Sequence, residues 1–192
     1  VSKPRKPTLG LFFPRLPRLS QGINGKGMAA TSPRSTLVIG YGNTLRGDDG
    51  VGRYLAEEIA QQDWPHCQVI STHQLTPELA EAIAAVEQVI FIDAQWHQQQ
   101  NAPSVQCQPL YLPPEEQLSG ELGHRGSPLE LIALAKILYG VEVQAWWVLI
   151  PAFTFDYGEM LSPLTAMAQT EALAKIRPLV LGENIKPGET QH

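Results

Sequence analysis

From Thr36 onward, short apolar runs alternate with stretches in which apolar residues recur at helical spacing. Residues 36–41 (TLVIGY) form a short apolar run that predicts a buried parallel strand. Val51, Tyr54, Leu55 and Ile59 follow at helical spacing. Residues 68–71 read as a second strand. Thr76-Pro77 reads as the opening of a helix, with Thr76 as N-cap and Pro77 in the first turn. Residues 89–93 (VIFID) predict a third strand that closes on Asp93. The next strand, 105–112, follows after eleven residues without helical period. That gap is too short for a helical crossover, so this strand is expected to run antiparallel to its neighbours. Ser127-Pro128-Leu129-Glu130 predicts a helix start, with Ser127 as cap, Pro128 in the first helical position and Glu130 completing a capping box. That helix should end near Gly140. Residues 145–152 are the last predicted strand. Ser162-Pro163 opens a final helix running toward Pro178. Alternating strands and helices imply an α/β protein, a three-layer α/β/α sandwich around a mostly parallel sheet.

The first 35 residues break this pattern. Five prolines, at 4, 7, 14, 17 and 33, and glycines at 22, 25 and 27 punctuate them, and Met28 opens a short polar lead into the first strand. The expected organisation is an irregular basic N-terminal extension at 1–35, a single domain at 36–182 and a short tail at 183–192. The extension reads either as a targeting or docking arm or, more simply, as a stretch ahead of a natural start at Met28. Lys3, Arg5, Lys6, Arg15, Arg18 and Lys26 precede Met28 with no acid among them, while all nineteen Asp and Glu fall after it. An acidic body argues against nucleic acid or an anionic membrane as partner and suits a basic protein surface. No apolar run approaches the ~18 residues of a membrane span. Cys67 and Cys107 are the two cysteines, in strand-like stretches and without a CxxC pair, so a reducing cytoplasm is the expected setting.

Three places carry candidate chemistry. The first is the segment Gly40-Tyr41-Gly42-Asn43-Thr44-Leu45-Arg46-Gly47-Asp48-Asp49-Gly50-Val51-Gly52, between the first strand and the first helix. Its glycines permit a sharp turn and close backbone approach. Leu45 stands where a Rossmann fingerprint needs its third glycine, and two carboxylates repel a phosphate, so a nucleotide loop is disfavoured. Asp48 and Asp49 admit two readings. One of them caps the helix or sits at its positive end, or the pair does chemistry. The second place is Asp93. Either it is a turn former, or it faces the crevice beyond the carboxyl ends of the strands, where ligands bind in open α/β sheets. If the first and third strands are adjacent, Asp49 and Asp93 converge there.

The third place is His124, flanked by Gly123 and, one residue on, by Gly126. Two carboxylates and an imidazole make a plausible open site for Zn, Ni, Mn or Cd. His66, His73 and His97 are rival ligands. No G-x-S-x-G elbow or H-E-x-x-H helix is present, and no cysteine nucleophile is signalled.

The string Gly40-x-Gly42-Asn43-x-Leu45-x-x-Asp48-Asp49-Gly50-x-Gly52, followed by Ile92-Asp93-Ala94 and Gly123-His124-x-Gly126-x-Pro128, resembles the maturation endopeptidases of [NiFe] hydrogenases, over about residues 36–150. The resemblance implies a five-stranded mixed sheet in a phosphorylase/hydrolase-like sandwich, with Asp49, Asp93 and His124 as metal ligands. Asp49 stands where many relatives carry Glu. The implied activity is cleavage of the C-terminal extension of the hydrogenase large-subunit precursor after nickel insertion. The precursor is then the partner, and its own nickel, or another divalent metal at the same site, is the ion. Asp48 and Asp49 are the candidate catalytic carboxylates: the metal polarises the scissile carbonyl or activates a water, or it only anchors substrate while an uncoordinated acid such as Asp48 acts as base. A non-catalytic nickel-sensing chaperone for the same precursor is the alternative. After Cys67, where many relatives carry Gly-Thr-x-Gly, this chain reads Thr72-His73-Gln74-Leu75. It looks most like the branch serving bidirectional, NAD-linked hydrogenases.

Overall fold

The apolar runs become a five-stranded sheet in the computed structural model of the chain, which describes residues 34–98, 104–113 and 126–182. The strands are β1 (Thr36–Tyr41), β2 (Cys67–Thr72), β3 (Gln88–Trp96), β4 (Gln106–Leu110) and β5 (Gln144–Ala152). Their order is β2-β1-β3-β5-β4. The pairs β1–β2, β1–β3 and β3–β5 are parallel, and β4 joins β5 antiparallel, as the short preceding gap requires. β1 and the first half of β3 are buried almost without interruption, because both faces of these central strands are covered.

Helices cover the two faces. α1 (Val51–Gln61) and α4 (Pro163–Leu181) pack on one, where Val51, Leu55 and Ile59 meet Ile90, Val148, Ile150 and Ile176. α2 (Leu79–Ala84) and α3 (Pro128–Tyr139) pack on the other, where Ile83 and Leu131 meet Leu37, Ile39, Val89 and Phe91. This is a three-layer α/β/α sandwich around a mixed, mostly parallel sheet. Among the described residues no helix is long and apolar enough to cross a membrane. Of the expected N-terminal extension at 1–35, residues 1–33 lie outside the described residues, as does the expected tail at 183–192.

The caps of α3 and α4 follow the sequence. Ser127 accepts from the Glu130 amide at 3.2 Å and Ser162 from the Thr165 amide at 3.4 Å, each with proline next, and α3 ends on left-handed Gly140. Four expectations need correction. Thr76 does not cap α2. The chain enters that helix through tight i→i+3 turns, Leu79 N–H to Thr76 O and Ala80 N–H to Pro77 O, and its N-cap Glu78 makes no side-chain cap bond. Glu130 bonds the Gly126 amide at 2.6 Å, one residue before the cap, so the capping box is not closed on Ser127 itself. α4 runs through Pro178 to end on left-handed Gly182. β3 does not stop at Asp93 but continues to Trp96 because β5 pairs with it along its whole length, to Trp96↔Ala152.

Candidate functional site

At the carboxyl end of the sheet β1 and β3 part company. Their pairing ends at Gly40↔Ile92, whereas β3 keeps β5 as partner to Trp96. β1 connects leftward to β2, and the chain returns to β3 on the other side of β1, so this is where the strand order reverses. Doubly wound sheets open a crevice at such a point. An open cleft of about 890 Å³ lies here, lined among others by Tyr41, Gly42, Asn43, Arg46, Asp49, His73, Asp93, Gly126 and Glu130. Asp49 and Asp93 therefore share one cleft.

Close backbone packing places Asp49. Gly42 turns the chain out of β1 at φ 135°, and a Cβ on it would stand 1.9 Å from the Asp49 carbonyl oxygen. Gly52 lets the start of α1 press on the sheet: a Cβ there would lie 2.5 Å from the Ile92 carbonyl oxygen and 2.6 Å from that of Tyr41. The glycines of this motif thus serve a tight strand–helix corner rather than a phosphate. Asp49 Oδ2 accepts from the Asn43 amide at 3.2 Å.

Asp48 goes the other way. It is fully buried and is not part of the cleft wall. Its carboxylate accepts from the amides of Phe153 (2.8 Å), Thr154 (3.1 Å) and Ser162 (2.6 Å) and from the Ser162 hydroxyl (2.8 Å). Burial pushes its carboxyl up, but the bonds from Phe153 and Ser162 outweigh that and hold it below the ordinary aspartate value. It caps neither the short 3-10 turn at Gly47–Gly50 nor α1. Instead it ties the β5–α4 loop to the corner and steadies the N-cap of α4. Of the two candidate catalytic carboxylates, Asp49 lines the cleft, whereas Asp48 is enclosed by four donors and stands outside the cleft wall.

Asp93 belongs to the cleft and is held by Tyr41, whose hydroxyl donates to Asp93 Oδ2 at 2.7 Å. Burial raises the Asp93 carboxyl to about 6; the Tyr41 and Ala94 bonds oppose this, and the negative charge of Asp49 adds to it. Burial, with the Asp93 charge next, also holds the Tyr41 phenol far above its ordinary value, so it stays a proton donor. Trp147 acts in the opposite direction, to a smaller extent. Its buried indole nitrogen has no hydrogen-bond partner among the described residues.

A raised folded-state value means that the stability Asp93 contributes is complete below about 4 and is lost as pH rises through about 6. In metal-free protein, Asp93→Asn is expected to be more stable than the wild type at pH 7, by up to about 3 kcal/mol. Chemical denaturation across pH should show the advantage growing between about pH 4 and 6 and then levelling off. An advantage independent of pH would refute the burial account.

The expected ligand set is only partly visible. Asp49 and Asp93 come together; His124 lies outside the described residues, two positions before the cleft residue Gly126. Of the rivals, His73 lines the cleft. His97 packs by Phe153, 6.4 Å between ring centroids, and His66 sits in a positive-φ turn before β2. Among the described residues no three His, Cys, Asp or Glu side chains are grouped closely enough to hold a metal. The two carboxylates nonetheless suit a hard or borderline cation, since in each the well-formed hydrogen bond among the described residues goes to Oδ2, from Tyr41 in Asp93 and from the Asn43 amide in Asp49. The two cysteines are away from the cleft, and burial raises the Cys67 thiol to about 11.

Sequence reasoning missed Tyr41 and Arg46 as cleft residues. Tyr41 was legible: Leu37, Ile39 and Tyr41 share one face of β1, as Val89, Phe91 and Asp93 do on β3. Arg46 was not, because it reaches the cleft through a loop held by the Phe155 carbonyl and by an isolated bridge to Gly158.

No protein-family model and no curated protein matches the chain. Solved structures do. One is a [NiFe] hydrogenase maturation protease, HybD, from Thermococcus kodakarensis, with TM-score 0.57, 19% identity, and 76% of this chain and 98% of that one covered. A second is a hydrogenase 2 maturation peptidase from a Thaumarchaeota archaeon, with TM-score 0.57, 20% identity, and 78% and 99% covered. A third is the hydrogenase maturating endopeptidase HybD from E. coli, with TM-score 0.57, 19% identity, and 73% and 88% covered. At these identities the likeness is one of fold.

Proposed function

We propose that this chain is an endopeptidase that removes the C-terminal extension of a [NiFe] hydrogenase large-subunit precursor once nickel is in place. The observation that carries the reading is the convergence of Asp49 and Asp93 in one open cleft at the point where the strand order reverses. The fold neighbours named as hydrogenase maturation proteases support it, as do the three motifs in the order that such enzymes carry them. The cleft is open and about 890 Å³ in volume, and the Oδ1 atoms of Asp49 and Asp93 are acceptors available to an ion or to the attacking water.

In this reading the nickel belongs to the substrate. Asp49 and Asp93, joined by His124, complete its coordination, and a metal so held can polarise a neighbouring carbonyl. Hydrolysis then adds the water oxygen to the scissile carbonyl carbon, breaks the C–N bond and leaves the proton on the departing amine. Asp48 takes no proton. Its work is to hold residues 153–162 against the corner that presents Asp49. Recognition through the partner's metal makes cleavage conditional, since affinity is high only when nickel is present.

The test compares nickel-free and nickel-loaded precursor, each incubated with purified protein stripped by chelation. The expected result is loss of the C-terminal peptide mass from the nickel-loaded precursor alone. Rapid cutting of the nickel-free form would overturn the gating. Tight nickel-dependent binding without any mass loss would instead establish a maturation chaperone.

A further inference from the structure

We propose that Tyr41 is a positioning residue for Asp93: its hydroxyl holds one carboxylate oxygen so that only the other is presented to a divalent cation. The inference deepens the proposed function and rests on its reading of the cleft as a cation site. Tyr41 is the last residue of β1 and Asp93 the first residue of β3 beyond the β1 pairing, and both side chains line the cleft. With the backbones parted, the 2.7 Å bond from the phenol to Asp93 Oδ2 is what still joins the two strands at this level.

That bond fixes more than the rotamer. A phenol has one proton to give, and it goes to Oδ2. The Ala94 amide also favours the charged carboxylate, but Tyr41 makes the one well-formed hydrogen bond to it among the described residues, and that bond is to Oδ2. Asp49 repeats the arrangement by different means, with Oδ2 held by the Asn43 amide. Each carboxylate thus offers a single oxygen, and each binds through that one oxygen rather than chelating. Single-oxygen ligation by two acids leaves more of the coordination sphere to an ion that arrives already held by a partner protein. Partners that orient a ligand in this way are typically worth 10–100-fold in metal affinity.

The experiment uses the full chain, metal-free, with Ni²⁺ alone as probe. Calorimetry of wild type and Tyr41→Phe, both checked for native circular dichroism, should show roughly a tenfold weaker Kd in the variant. Infrared difference spectra of the Ni²⁺-bound wild type should show widely separated asymmetric and symmetric carboxylate stretches, the mark of one-oxygen ligation. In Tyr41→Phe one of the two separations should narrow. Equal affinity and unchanged bands in Tyr41→Phe would overturn the role of Tyr41 while leaving the cation site standing. Wild-type protein that binds no Ni²⁺, or a folded Asp93→Ala that binds it as well as wild type, would overturn the cation-site reading itself and this inference with it. Should Tyr41→Phe fail to fold, the wild-type spectrum still decides, because narrow separations for both carboxylates exclude the proposed arrangement.

Discussion

Asp48→Ala is expected to cost about 4 kcal/mol of stability, more than any other single change near the cleft. The substitution strands three backbone amides, those of Phe153, Thr154 and Ser162, together with the Ser162 hydroxyl that caps α4. Each buried donor left unpaired costs about 1–3 kcal/mol, and part of the burial is relieved as the loop loosens. Asp48→Asn keeps an acceptor oxygen and loses the charge, so it should cost about half as much. The pH dependence has a definite sign. The folded-state carboxyl lies below its ordinary value, so its contribution is complete above about pH 4 and is lost as pH falls through the folded value. Chemical denaturation at pH 7 and at pH 3 decides the matter: the gap between wild type and Asp48→Asn must shrink on acidification. A neutral Asp48→Ala at pH 7 would mean that the β5–α4 loop is held by something else.

Asp49→Ala and Asp93→Ala are expected to do the reverse, abolishing precursor processing with the fold intact. Both side chains reach an open cleft and neither is part of the hydrophobic core. Under the proposed function each supplies an ion-binding oxygen. Its loss should slow processing by more than about 100-fold, since even the groups that merely orient such ligands are worth 10–100-fold. Thermal melts should stay within a few degrees of wild type, and single-turnover cleavage of nickel-loaded precursor gives the rate. A folded Asp93→Ala that cuts at the wild-type rate would remove Asp93 from the site. The adjacent acids make a controlled pair: Asp48→Ala should lose activity together with stability, Asp49→Ala without losing it.

That contrast also marks how far the sequence could be read. The central strands were legible because a parallel strand covered on both faces needs an unbroken apolar run, as at residues 36–41 and 89–92. The last turn of β3 was not, since Ala94-Gln95-Trp96 is ordinary in composition and is a strand only because β5 pairs with it. The corner carrying Asp48 and Asp49 was located from its glycines. Which acid faces the cleft depends on the phase of a 3-10 turn of four residues, and two identical neighbours carry no signal of phase. The four bonds to Asp48 come from residues more than a hundred positions away, a tertiary arrangement that no local pattern announces. Asp93 was placed from topology, by the expected adjacency of the first and third strands. Its Tyr41 partner was within reach of the same reasoning applied to side-chain parity.

The unequal lengths of β1 and β3 also grade the mobility of the sheet. Through Ile92, β3 is flanked on both sides, and opening those residues means opening the core. From Asp93 to Trp96, β3 has one strand neighbour among the described residues, and such backbone frays at far lower cost than the global unfolding free energy. The boundary between slowly and rapidly exchanging amides is therefore expected between Ile92 and Asp93. Asp93 is the first residue of the segment that can yield, and the Tyr41 hydroxyl ties its carboxylate back to β1, so an anchored side chain stands on the more accommodating part of the strand.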